Sequence, residues 1–262
     1  MAARLYAYAF LGDFVLLYPV YALLFAETGL STAQISSLLA IWSIASFTLE
    51  VPSGVWADAT SRRMLLAAGP LLSGLGFGLW VVVPSYAAFA LGFVLWGAQG
   101  ALQSGALQAL VYEELERLGA ASRYAHVMGR ATAIGTGASA LAIGLAAPVF
   151  AIGGFTAVGA ASVLACIAGA AVAAGFPEHG SGLPGHGARL PERGAGLPER
   201  GSSRDPYTDR GFRAYAAVLT AAVAEVRAEP VLRGALLLVP AVAAIWGALD
   251  EYLPLLAAEA GA

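Results

Sequence analysis

Acidic side chains inside long apolar segments are the residues of this sequence whose type and position most suggest chemistry. Asp13 lies eight residues into the first such segment, and Asp250 and Glu251 lie in the last one. A charged group in the middle of a membrane-spanning helix costs roughly 2.5–3.5 kcal/mol on insertion scales, so it is expected to face a cavity or a partner. Asp13 is therefore a candidate for a protonatable or substrate-contacting carboxylate. A structural hydrogen bond between helices is the alternative.

Asp250 is a second candidate of the same kind. Adjacent side chains on a helix point about 100° apart, so at most one of Asp250 and Glu251 squarely faces a central cavity. A solvated position near the outer end of the helix is the alternative. Four uncharged polar residues in the apolar segments are further candidates for lining a substrate or proton pathway: Tyr18, Tyr21, Gln99 and Gln103. Interfacial anchoring and helix packing are commoner roles for such residues.

Other kinds of site are not indicated. The three histidines lack the spacing of metal ligands, and the sequence contains neither a Gly-x-Ser-x-Gly turn nor a Gly-x-Gly-Asp site. The glycines of "GLGFG" at 74–78 lie inside an apolar segment with no strand before them, so close helix packing is a better interpretation than a nucleotide loop. The sequence therefore predicts no enzyme activity, no cofactor and no metal.

The composition is that of a membrane protein. Of 262 residues, 59% are hydrophobic and 12% are charged, and the mean hydropathy is +0.73, whereas soluble domains average about 45–50% apolar and about 25% charged. No basic run interleaved with aromatic residues indicates nucleic-acid binding. The single cysteine, Cys166, has no disulfide partner.

Seven apolar segments reach the roughly 20 residues that a helix needs to cross a bilayer. They lie at about 5–25, 35–56, 64–83, 87–112, 127–150, 155–176 and 231–256. Runs of this length without alternation predict helices, because only helices or closed barrels satisfy the backbone in lipid. The first segment is too long for the core of a signal peptide, so we interpret it as a retained signal anchor.

The basic residues predict the orientation of these spans. All fourteen are arginine, and every one falls on the cytoplasmic side if the N-terminus is cytoplasmic. Such a distribution is a strong positive-inside signal. We therefore expect a multi-pass protein of the cell membrane with a cytoplasmic N-terminus.

The chain divides into four predicted regions. Residues 1–176 form a six-helix bundle, and 177–208 form a disordered linker in which Leu-Pro recurs every seven residues. Residues 209–230 are expected to form an amphipathic helix at the cytoplasmic membrane surface, and 231–262 contain the seventh span. Segments 18–29 and 250–261 share five identical residues, which suggests a second half that begins as the first does, as in transporters built from parallel repeats.

The loop between the second and third spans resembles the signature of a known family. Residues 54–63 read Gly-Val-Trp-Ala-Asp-Ala-Thr-Ser-Arg-Arg. The signature of the major facilitator superfamily in the same loop is roughly Gly-x-Leu-Ala-Asp-Arg-x-Gly-Arg-Arg. Five positions match: Gly54, Ala57, Asp58, Arg62 and Arg63. The segments "GLSTAQISSL" and "ALVYEELERLG" are similar to the same superfamily, and the resemblance covers essentially the whole chain.

Two other patterns of the superfamily match poorly. In helix 4 the pattern Arg-x-x-Gln-Gly has Trp96 in place of the arginine, so the proton-relay role of that arginine is not carried over. The antiporter pattern of helix 5 is not legible, which leaves antiport without direct support.

The resemblance implies an all-α membrane fold, consisting of the N-terminal six-helix bundle, a cytoplasmic linker and the first helix of a second, truncated bundle. It implies secondary transport of a small molecule by alternating access, with the lipid bilayer and the substrate as partners. Proton-coupled efflux through Asp13 is a hypothesis. The resemblance also implies a conformational latch formed by Gly54, Asp58, Arg62 and Arg63, with Glu113 as the expected partner of the loop arginines. The partner of Asp58 in the second half would lie beyond Ala262, so the sequence is expected to be incomplete.

Other functional classes remain open at this point. A seven-helix receptor fits the helix count, but a retinal protein needs a lysine, which the sequence lacks, and the cytoplasmic N-terminus opposes the usual receptor arrangement. A regulatory membrane protein that does not transport is the remaining alternative.

Overall fold

The computed structural model describes residues 1–177, except for the side chains of 51–59. The predicted linker, the amphipathic helix, the seventh span and Asp250 lie outside the described residues. Within 1–177 every regular element is a helix. In chain order these are α1 (Ala2–Asp13), α2 (Tyr21–Glu27), α3 (Thr32–Ala59), α4 (Arg62–Val82), α5 (Tyr86–Gln103), α6 (Ala106–Arg117), a 3-10 turn (Ala121–Arg123) and α7 (Tyr124–Ala174).

Three stretches of the described helices are each long and apolar enough to cross a membrane. They are Thr32–Glu50, Arg62–Val82 and Ala121–Ala174. The last contains two of the predicted spans, while the first and fourth predicted spans are each divided into two shorter helices. The bilayer-length segments of the sequence are thus present, but two of them are interrupted.

The first predicted span, 5–25, is not a continuous helix. α1 ends at Asp13 and α2 begins at Tyr21. Pro19 has no N–H to offer the carbonyl of Val15, and its ring would clash with that carbonyl in a helix. The Val15 carbonyl instead accepts a bond from the Tyr18 N–H at 3.3 Å. The prediction of one helix was wrong because a hydropathy pattern does not register this break.

A buried serine supports the interrupted segment. Ser162, on the second half of α7, is 0% exposed, and its Oγ accepts a hydrogen bond from the Leu17 N–H at 3.0 Å. The same hydroxyl donates to the Val158 carbonyl one turn earlier, at 2.8 Å. A backbone N–H away from water needs such a partner. Ser162 therefore stabilises the break in the first span by accepting the bond that the Leu17 N–H would otherwise lack.

The fourth predicted span, 87–112, is also divided and extends further than expected. α5 ends at Gln103, and α6 continues to Arg117 after a turn in which Gly105 has φ +75°. Glycine fits this left-handed conformation because it has no Cβ. The Ser104 hydroxyl at the same turn donates to Glu50 Oε1 at 2.7 Å, so the break lies against α3.

α7 contains the fifth and sixth predicted spans. Gly153 and Gly154 interrupt it with non-helical angles, and Gly154 has φ +58°. Both glycines lie between the fifth and sixth predicted spans, 127–150 and 155–176. We refer to residues 124–152 as the first arm of α7 and to 155–174 as its second arm.

Aromatic rings fill the core between α2, α4 and α5. Trp80 is fully buried, and its indole N–H donates to the Phe89 carbonyl at 3.1 Å. Phe25 lies 4.2 Å from Phe89 and 5.1 Å from Trp80 between ring centroids. Small residues let the backbones approach elsewhere: a Cβ on Gly74 would lie 3.0 Å from the Cβ of Cys166. Glycine packing in "GLGFG" therefore joins α4 to the second arm of α7.

The Ser162→Ala variant should be destabilised by about 1–2 kcal/mol, because the Leu17 N–H would lose its partner in a dry environment. The free energy of unfolding can be measured by SDS titration of the detergent-solubilised protein, followed by circular dichroism. Ser122→Ala is the matched control, since Ser122 is exposed on the 3-10 turn. Equal stability of the two variants would contradict this role for Ser162.

Candidate functional site

A cleft of about 390 Å³ lies between α1, α5, α6 and the first arm of α7. A volume of this size falls in the range of small-molecule sites, about 300–1,000 Å³. Eight side chains with nitrogen or oxygen atoms line it: Tyr8, Asp13, Tyr18, Trp96, Gln99, Gln103, Thr132 and Thr136. Of the residues expected from the sequence to line a pathway, Asp13, Tyr18, Gln99 and Gln103 are thus brought together.

Asp13 is the one lining residue that carries a charge at neutral pH. It is the last residue of α1 and is exposed. Its carboxylate lies against Gly135 on the first arm of α7, where an added Cβ would overlap Oδ2. The Ser139 hydroxyl donates to the Asp13 backbone carbonyl at 3.4 Å. Among the described residues no cation pairs with the Asp13 carboxylate.

A proline in α4 explains the position of Tyr8. Pro70 has no N–H, so the carbonyl of Leu66, four residues earlier, lacks its helical donor. The Tyr8 hydroxyl donates to this carbonyl at 2.9 Å, and the bond is buried. A phenol of α1 thereby replaces a backbone bond missing from α4.

Two glutamines of α5 extend this bond into a chain. Gln103 Nε2 donates to the Tyr8 hydroxyl, and Gln99 Nε2 donates to Gln103 Oε1. The Ser73 hydroxyl of α4 donates to Gln99 Oε1 at 3.2 Å. Gly69 leaves room for these amides, since a Cβ there would lie 3.2 Å from Gln103 Nε2. The chain begins and ends on α4 and passes through α5 and α1.

The two tyrosines of the first predicted span have different surroundings. Tyr18 lines the cleft and stacks on Trp96, with ring centroids 5.1 Å apart and an interplanar angle of 20°. Tyr21 is only 2% exposed and lies in the aromatic core with Phe25 and Phe93. Tyr21 is therefore not among the residues that line the cleft.

The residues of the expected latch are described in part. The Arg62 guanidinium at the start of α4 forms an ion pair with the Glu113 carboxylate of α6. Both side chains are partly exposed, and such pairs typically contribute about 0–1 kcal/mol. Gly54 and Asp58 lie in the stretch of α3, 51–59, whose side chains are not described.

Comparison with known proteins agrees with this architecture. A sequence model of the Major Facilitator Superfamily matches residues 5–262. The chain belongs to the Major Facilitator Superfamily. No curated protein and no solved structure matches it at a significant level. Membership confirms the family and the all-α membrane fold expected from the sequence, and it indicates a multi-pass membrane protein that transports a small molecule.

Three residues that line the cleft were not predicted from the sequence: Tyr8, Thr132 and Thr136. The two threonines lie four residues apart, with Met128 one turn before them, and all three line the cleft. Residues spaced by four share a helix face, so this stripe of hydroxyls in an apolar segment was a usable signal. Tyr8 had no comparable signal, because its role depends on Pro70, which is 62 residues away along the chain (70 − 8).

Tyr8→Phe should lower the free energy of unfolding by about 1–2 kcal/mol, because the Leu66 carbonyl would be left without a donor. Pro70→Ala restores an N–H that can bond this carbonyl within α4. In the Pro70→Ala background the loss from Tyr8→Phe should therefore be clearly smaller, as measured by a double-mutant cycle in SDS titrations. Tyr6→Phe on the same helix is the control, and an unchanged loss in the double mutant would contradict the assignment.

Gly135→Ala should lower the free energy of unfolding by about 0.5–1.5 kcal/mol, since the new methyl group would force the exposed Asp13 carboxylate out of its present rotamer. Gly137→Ala on the same arm is the matched control, because a Cβ there meets no atom within 4 Å. Differential scanning fluorimetry and SDS titration report both effects. The loss should vanish in the Asp13→Ala background, and its persistence there would show that the collision is with another group.

Proposed function

We propose that this protein is a secondary active transporter that moves a small molecule across the cell membrane by alternating access. The observation that carries this proposal is the cleft of about 390 Å³ lined by Asp13 and neutral polar side chains of three helices. In alternating access, two helical halves rock about a binding site near the middle of the membrane, and no covalent chemistry takes place. The position of Asp13, eight residues into the first apolar segment, supports a site near the middle of the membrane.

The N-terminus lies in the cytoplasm in this proposal. The support is the distribution of the fourteen arginines, which all fall on one side when the spans alternate. Arg62 and Glu113 then lie at the cytoplasmic ends of α4 and α6. Their ion pair, together with Gly54, Asp58 and Arg63, forms the latch that distinguishes the two states of the transporter.

Asp13 is the proton-coupling residue in this proposal. A carboxylate in a membrane-embedded cleft, without a cation among the described residues, can take up and release a proton as the cleft opens to either side. Trp96 replaces the arginine to which the superfamily pattern gives a relay role, so among the described residues that line the cleft the carboxylate of α1 is the group left for coupling. Outward movement of the substrate against an inward proton flux is the direction we propose.

Transport can be tested with the purified full-length protein in proteoliposomes under an imposed pH gradient. A panel of radiolabelled amino acids, sugars, organic cations and organic anions serves as substrate. At least one solute should move faster than in protein-free liposomes, with a rate that depends on the gradient. No flux of any solute above this background would overturn the proposed transport and favour a membrane protein of regulatory type.

Asp13→Asn should abolish the dependence of flux on the pH gradient, while solute counterflow without a gradient continues. The reason is that an amide cannot exchange a proton with the cleft. The same proteoliposome assay measures both quantities. Glu27→Gln, at the exposed end of α2, is the control and should keep the full gradient dependence. Unchanged dependence in Asp13→Asn would exclude Asp13 as the coupling residue.

A further inference from the structure

The charge of the cleft is negative over the described residues. Asp13 is the one lining residue with a full charge, and its carboxylate has no ion-pair partner within the described part of the chain. A carboxylate in a partly dry cleft is stabilised by a positive charge more strongly than it would be in bulk water. A bound cation can supply that charge.

Three of the four hydroxyl groups that line the cleft offer lone pairs rather than hydrogens. Thr132 donates to the Met128 carbonyl at 3.2 Å, and Thr136 donates to the Thr132 carbonyl at 3.1 Å. The Tyr8 hydroxyl hydrogen is likewise used on the Leu66 carbonyl. A hydroxyl has one hydrogen and two lone pairs, so the threonine oxygens can still accept hydrogen bonds from a ligand. The carboxylate is also an acceptor, so this part of the cleft complements a ligand rich in donors.

The glutamine amides are already engaged with each other. Gln103 uses its oxygen on Gln99 and its nitrogen on Tyr8, and Gln99 uses its oxygen on Ser73. Each Nε2 has two hydrogens and uses one of them in these bonds, so the second hydrogen of each amide remains for an acceptor group of a ligand. The preference against anions therefore rests on the Asp13 carboxylate and not on the amides.

The wall of the cleft near Tyr18 is aromatic and apolar. Tyr18 and Trp96 stack on each other and both line the cleft, as do Leu107 and Met128. The electron-rich faces of tryptophan and tyrosine attract organic cations, by about 0.5–2 kcal/mol. Met128 and Leu107 add surface that suits the hydrocarbon part of such a ligand.

A bare metal ion fits these observations poorly. The described residues contain no group of three or more histidine, cysteine, aspartate or glutamate side chains that could hold a metal. The cleft, at about 390 Å³, is also far larger than a metal site and lies in the range for organic ligands.

From this combination of one unpaired carboxylate, three hydroxyls whose hydrogens are already used and an aromatic wall, we propose that the cleft binds a monovalent organic ammonium ion with an apolar or aromatic body. The ammonium group lies at Asp13 with the threonine oxygens as further acceptors, and the apolar body lies against Tyr18 and Trp96. This inference rests on the proposed transport function for its physiological meaning, but the binding itself is measurable without transport.

Three probes of nearly equal size separate the classes of ligand. They are 2-phenylethylammonium as the cation, 2-phenylethanol as the neutral match and phenylacetate as the anion. Equilibrium binding to the full chain in nanodiscs at neutral pH, without a gradient, is measured by calorimetry. The cation should bind about tenfold or more tightly than either match, a difference of at least about 1.4 kcal/mol. Benzyltrimethylammonium, which cannot donate hydrogen bonds, should bind more weakly than 2-phenylethylammonium but more tightly than the neutral probe.

Variants test which groups are responsible. Asp13→Asn should weaken binding of the cation by about tenfold to a hundredfold and leave 2-phenylethanol unaffected. Trp96→Leu should weaken 2-phenylethylammonium and 2-phenylethanol by a similar severalfold factor, because both place the phenyl ring against Trp96. Glu27→Gln removes a carboxylate of α2 away from the cleft and should change neither affinity. The proposal would be overturned if phenylacetate bound more tightly than 2-phenylethylammonium or if neither cation bound. It would also be overturned if Asp13→Asn bound the cation as tightly as the unchanged protein does.

The outcome can be separated from that of the transport assay. Asp13-dependent cation binding without flux would leave the ligand class standing and overturn transport. Gradient-dependent flux of a sugar or an anion, with no cation binding, would leave transport standing and overturn the ligand class.

Discussion

The need to satisfy every backbone polar group without water underlies the rest of this structure. In the hydrocarbon region an unsatisfied N–H or carbonyl costs several kcal/mol. Two of the prolines show this problem: Pro19 interrupts the first span, and Pro70 leaves the Leu66 carbonyl without a donor. Each defect is repaired by a side chain from a distant helix. Ser162 accepts from the Leu17 N–H, and Tyr8 donates to the Leu66 carbonyl.

These repairs also shape the cleft. Tyr8 is both the donor to α4 and part of the lining, so the phenol cannot move without breaking the backbone repair. The glutamines are fixed by the same chain of hydrogen bonds. The helix break after Asp13 ends α1 at this carboxylate, and the polypeptide continues in another direction. The result is a site in which Tyr8, Gln99 and Gln103 hold one another in place, while the one charged group among its described lining residues, Asp13, is left without an ion-pair partner. This arrangement explains how a Major Facilitator Superfamily member without the helix 4 arginine can still have a defined polar cleft.

The fold and part of the site followed from the sequence because they depend on local properties. Hydropathy placed the apolar segments, the loop pattern from Gly54 to Arg63 indicated the family, and isolation in apolar runs singled out Asp13, Gln99 and Gln103. The breaks at 14–20 and at Ser104–Gly105 could not be predicted in the same way. A proline or glycine in an apolar run is compatible with a kinked continuous helix, and the outcome depends on partners far along the chain. Leu17 and Ser162 are separated by 145 residues, and no periodicity connects them.

The bond from Tyr8 to Leu66 has a mechanical consequence. It joins α1 to α4 at a point where α4 has lost one of its own backbone bonds, so bending at Pro70 would stretch the link between the two helices. Gln103 and Gln99 attach α5 to the same point. These three helices therefore resist bending at Pro70 as one stiff unit. Flexing during a conformational change would be concentrated instead where glycine interrupts the helices, at Gly105 and at Gly153–Gly154.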